Sequence, residues 1–225
     1  MLSRRPMAAS ILAFIVAAVA DPSLAASADK PVISPAMLAY VAEPDHRAAV
    51  VKAALDGFKY RHGECPSAVI AKILPITPFA KPEAASNADG ALTQGGIKEP
   101  MLVSGCGKTS LENIITAVVA GGITRTIFAT PGTTKGDLLL AKDTMPYLAM
   151  YMRVKGPKDC RDERIMNTRF DDFEGPPTPT AKFQADGGRP YREIWTVSAC
   201  GTPFDIPVHY IPDATGTLIN VQIDR

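Results

Sequence analysis

Four cysteines, three histidines and one Gly-Lys-Thr triplet carry the most evident chemistry of this chain. The triplet lies in "VSGCGKTS", Val103 to Ser110, where a lysine and successive backbone N–H groups could cradle a phosphate. That motif needs another glycine five residues before Gly107, and Leu102 occupies the place. The related stretch "VSACGTPF" has no lysine, and Pro203 and Pro207 forbid a following helix. Both stretches therefore read as strand ends that carry a cysteine.

Cys65, Cys106, Cys160 and Cys200 form an even set without any Cys-x-x-Cys pair, which favours structural disulfides over a reactive thiolate. His46, His62 and His209 show neither His-x-His nor His-Glu-x-x-His spacing, so each reads as a surface or partly covered side chain. Asp171, Asp172 and Glu174 lack the alternating oxygen ligands of a calcium loop and read as a solvated acidic segment. No Gly-x-Ser-x-Gly elbow is present. These patterns assign no catalytic residue, no metal and no cofactor. Trp195, His209 and Lys108 stand as the candidate binding surface, with a core position as the competing reading of Trp195.

A repeat decides how the cysteines pair. Glu99, Val103, Ser104, Cys106 and Gly107 recur 94 positions later as Glu193, Val197, Ser198, Cys200 and Gly201. Cys65 and Cys160 lie 95 positions apart, so the intervals Cys65–Cys106 and Cys160–Cys200 nearly match. Shared spacing and a shared motif are the signature of duplication. It predicts one disulfide within each half, each contributing on the order of 4 kcal/mol in the chain-entropy model.

The elements that must hold these cysteines follow the same registration. "SPAMLAYVAEP" offers Ser34 as N-cap and Pro35 at the first helical position. After Pro44, Val50, Val51, Ala54, Leu55 and Phe58 fall on one helical face. "GDLLLAKDTMP" and "YLAMYMRV" repeat the order helix, proline, helix. "SAVIAKILPITPF" and "RIMNTRFDDF" read as strands with prolines at edges or ends. The polar stretches "AKPEAASNADGALTQGG" and "EGPPTPTAKFQADGGRP" are long enough to be functional loops. After each cysteine strand a meander follows: Phe204, Ile206, Val208 and Tyr210 alternate with polar residues or proline, as do Ile219, Val221 and Ile223. The expected class is α+β, as two tandem repeats of a helix and about four antiparallel strands, residues 29–133 and 134–225.

Residues 1–28 read as a secretory signal peptide. Arg4 and Arg5 precede an apolar run, Met7 to Ala20, that is too short to span a bilayer, and cleavage fits after Ala25 or Ala28. Removing Arg4, Arg5 and Asp21 with that leader leaves equal numbers of acidic and basic residues. Such a chain has no basic field for nucleic acid, and no further segment reads as a membrane span.

"EIWTVSACGTPFDIPVHYIPDATGT" resembles a pattern of small exported proteobacterial proteins, which carry a Trp-Thr-Val-x-x-Cys-Gly strand, a meander after it and a cysteine upstream. "EPMLVSGCGKTSLEN" resembles the same element with Met101 in place of the tryptophan. The resemblance implies a secreted disulfide module and no activity. The expectation is a periplasmic or secreted, non-enzymatic protein that binds an envelope protein or a small ligand. The alternatives are an envelope-polymer hydrolase with dispersed catalytic residues and a secreted enzyme inhibitor.

Overall fold

The computed structural model describes residues 35–78, 95–119, 123–178, 188–214 and 216–223. Residues 1–28, which the sequence reads as a signal peptide, together with Ser34 and most of the two long loops, lie outside the described residues. The class is α+β, with two antiparallel sheets and one disulfide in each sheet region. The layout is repeat-like.

Helix α1 (Pro35–Ala42) ends where Pro44 can no longer donate a backbone hydrogen bond, and Glu43 N bonds Tyr40 O instead. Pro44 then opens α2 (Pro44–His62), with Lys59, Arg61 and His62 in the last turn, where cations suit the helix dipole. Its inner stripe is His46, Val50, Ala54, Gly57, Phe58 and Arg61, so an apolar centre is bracketed by two polar side chains. His46 departs from the surface reading. It is 4 % exposed, with Nε2 2.8 Å from Glu99 Oε2 and its ring against Tyr40.

α2 covers the first sheet, made of β1 (Val69–Ile73), β2 (Thr77–Pro78), β3 (Gly95–Gly105), β4 (Lys108–Val119) and β5 (Ile123–Phe128). The strand order is β1-β3-β4-β5, with β2 also paired to β3. The β3–β4 hairpin turns on Cys106 and Gly107, both at positive φ, as a two-residue primed turn requires. Met101 and Val103 of β3 and Ile114 of β4 pack with Val50, Ala54 and Phe58 as one core. Glu112 to Thr116 are all buried, so β4 is covered on both faces.

Helix α3 (Leu138–Lys155) is one continuous helix rather than two separated by Pro146. Asp137 caps it through Leu140 N, and the carbonyl deprived of a donor by Pro146 belongs to exposed Lys142, where water can satisfy it. The second sheet has the order β6-β7-β8-β9, from β6 (Glu163–Phe173), β7 (Tyr191–Ala199), β8 (Thr202–Pro212) and β9 (Thr217–Val221). Burial alternates strictly along β7, and Trp195, Val197, Ile206, Val208 and Tyr210 pack with Leu148 and Met152 of α3. The β7–β8 turn again uses a cysteine and glycine at positive φ, Cys200 and Gly201. The disulfides are Cys65–Cys106 and Cys160–Cys200, with Cα separations of 6.0 and 5.8 Å.

The two hydrophobic cores are separate, and backbone joins the halves between them. Gly132 N donates to Leu111 O and Ala129 N to Asn113 O, tying the connecting segment to β4. Thr133 N donates to Thr168 O and Thr168 N to Pro131 O, tying the same segment to β6. Asn113 Nδ2 completes the join through Thr130 O and Gly132 O. Gly132 sits at φ +91°, and a Cβ there would collide with the Thr168 carbonyl and the Asn167 side chain.

Gly132→Ala should therefore destabilise the protein by on the order of 2–4 kcal/mol. Gly107→Ala, with open space around it, should cost about 1 kcal/mol. Urea unfolding of both variants measures the contrast, and equal effects would contradict it.

Candidate functional site

Tyr60 and Arg61 on α2 lie against Arg164 and Ile165 on β6, and two arginines cross between the halves in opposite directions. Arg61 Nε donates to Ile165 O at 3.2 Å, while Arg164 Nη1 donates to Tyr60 O at 3.1 Å. Arg61 also donates to Ala129 O at 2.7 Å and to the carboxylate of Glu112. Arg164 is held by Asp162 at 2.6 and 3.0 Å. The Arg61 side chain is only 3 % exposed and that of Glu112 is fully buried. Burial pushes the Glu112 carboxyl up and the Arg61 guanidinium down from their ordinary pKa values, and each partner's charge opposes the shift of the other. Gly57 makes room for this pair, because a Cβ there would stand 2.5 Å from Glu112 Oε2.

Beside this join, α3 leaves a cleft of about 420 Å³ between the halves. Phe128, Met145, Leu148, Met152, Ile165 and Val197 supply apolar walls, and Arg61, Arg164, Thr130 and Glu163 supply the polar groups. Tyr60 and Phe128 stand 5.8 Å apart. Arg164 lies 6.0 Å from the Tyr60 ring and Arg61 lies 5.5 Å from the Phe128 ring. A volume in this range, with mostly apolar walls and a few converging donors, is the usual form of a small-molecule site.

A second cavity of about 150 Å³ lies at the start of α3, lined by Lys98, Asn113, Ile115, Thr134, Lys135 and Asp137 among others. Its charge is balanced nearby by buried Glu193. Thr134 Oγ1 donates to both oxygens of that carboxylate at 3.1 Å, Lys135 N at 2.7 Å and Trp195 Nε1 at 3.0 Å. Burial raises the Glu193 carboxyl against these donors and lowers Lys98, which is attracted to Glu193. The repeated glutamates thus have one kind of position and different partners: His46 for Glu99, a loop and an indole for Glu193.

The residues singled out from sequence lie elsewhere and are not brought together. Trp195 is fully buried in the second core, so it offers no surface to a partner. His209 lies on the other face of its sheet, its Nδ1 2.8 Å from Glu174. Asp171 and Glu174 are not simply solvated, since Arg192 pairs with both and Arg169 with Asp171. Lys108 is exposed at the first hairpin and reaches His62 O at 3.5 Å. Among the described residues no group of three or more His, Cys, Asp or Glu could hold a metal. Neither cavity is lined by a histidine, a cysteine or two carboxylates among those residues.

Arg61 and Arg164 escaped the sequence reading. For Arg61 the signal was its place on the period of Val50, Ala54 and Phe58, where a cation on an apolar stripe demands a buried partner. Arg61→Met, which leaves Glu112 buried without its countercharge, should cost about 3–5 kcal/mol. The double variant Arg61→Met/Glu112→Leu should recover at least half of that loss in urea unfolding. Strict additivity of the single effects would contradict the pairing.

No protein-family model, no curated protein and no solved structure matches this chain, so its function is argued from the site.

Proposed function

We propose that the protein is an exported, non-enzymatic binding protein of the bacterial envelope, periplasmic or secreted, and that it holds a small ligand in the cleft between its halves. The single observation carrying this reading is the cleft, with apolar walls and a buried arginine at its side. Two disulfides fit an oxidising compartment. Among the described residues no helix is long and apolar enough to cross a membrane. The resemblance to small exported proteobacterial proteins supports the same compartment. The matching cysteine intervals and paired hairpins support a tandem duplication, 29–133 and 134–225, in which each half is a helix followed by about four strands. The hydrolase and inhibitor readings have no comparable observation in their favour.

Native mass spectrometry of the protein recovered from an envelope extract should show a bound small molecule. Ala149→Trp, placed on the cleft wall and away from the core, should abolish that adduct without changing the fold. An adduct that persists in Ala149→Trp, or none in repeated recoveries of the unaltered protein, would count against the reading.

A further inference from the structure

We infer that the cleft takes an uncharged amphiphile, with an apolar body against the α3 wall and a carbonyl oxygen that accepts from Arg61. This inference rests on the cleft being the ligand site. Arg61 carries five N–H donors, and its three bonds to Glu112, Ala129 O and Ile165 O occupy three of them. Each terminal nitrogen makes one hydrogen bond among the described residues and so keeps a second N–H, on a side chain that lines the cleft. A buried donor without an acceptor is costly, so a carbonyl brought in by a ligand gains a hydrogen bond in a largely dry setting.

The charges favour a neutral ligand. Arg61 is matched by Glu112 and Arg164 by Asp162, and Glu163 adds a further carboxylate at the rim. A ligand carboxylate would enter against three like charges, with both cations already paired. A ligand ammonium would meet the Arg61 guanidinium at the wall and find only the exposed Glu163 as a partner, an interaction that water and salt screen. The two methionines of the wall, Met145 and Met152, adapt to the shape of an acyl chain more readily than branched side chains would.

Displacement of a neutral fluorescent probe, N-phenyl-1-naphthylamine, from the oxidised full chain tests the class. Decanamide and methyl decanoate should displace it at concentrations about tenfold below decylamine, which offers no acceptor, roughly the effect of one hydrogen bond. They should also displace it below decanoate, which can accept the same bond but enters against the carboxylates at neutral pH. Ala149→Trp should suppress probe binding. If decanoate equals or surpasses the amide, the arginines act as an anion receptor and the neutral class is overturned, while the cleft stands as a site. The same holds for decylamine and a cation site. Probe binding unaltered by Ala149→Trp, or no probe binding at all, overturns both the class and the cleft.

Discussion

The reciprocal reach of Arg61 to the Ile165 carbonyl and of Arg164 to the Tyr60 carbonyl is the contact on which the arrangement of the halves depends. Each half has its own apolar core, so hydrophobic burial stabilises the halves separately and says little about how they dock. Docking is set by directional groups instead: two guanidinium groups, the Asn113 amide and the backbone bonds of the connecting segment. A buried ion pair such as Arg61–Glu112 adds little net stability, because desolvation offsets much of its attraction. Its value here is geometric. The guanidinium can satisfy Glu112, Ala129 O and Ile165 O together in only one placement of α2 against β6.

That placement also explains the cleft. Because the cores do not merge, α3 packs on its own sheet and leaves space facing the end of β5 and the end of α2. The disulfides anchor the chain close to the crossing arginines. Cys65 follows Arg61 by four residues along the chain, and Cys160 precedes Arg164 by four. Each bond ties the chain next to a crossing arginine to a hairpin turn of its own sheet. A cleft with fixed walls lowers the ordering cost of taking a ligand.

Much of the fold was legible because local patterns and the global layout agree. The recurring Glu, Val, Ser, Cys and Gly pointed to the two cysteine pairs, and the alternation of Ile206, Val208 and Tyr210 placed the inner face of β8. Among the local readings that missed are the break at Pro146, the solvated segment at Asp171 and Glu174, and His46. Pro146 proved compatible with a helix because its cost falls on a solvent-facing carbonyl, which sequence period does not report. His46, a surface or partly covered side chain by its spacing alone, is buried because it sits four residues before Val50 on the same stripe. Glu99, its partner, lies on a strand far along the chain, and only the sheet register brings the two together. The site was harder still. Arg61, Ala129, Met145, Arg164 and Val197 come from five elements or connections, and no local spacing links them.

Native-state hydrogen exchange across both sheets tests most directly whether this polar join makes the halves one body with a fixed cleft. Amides of Val103 on β3 and Val197 on β7 belong to different cores. They should exchange through a single global opening, with the same free energy and the same denaturant dependence. Exchange at clearly different free energies, with one sheet opening while the other stays protected, would show two independent modules and contradict the account.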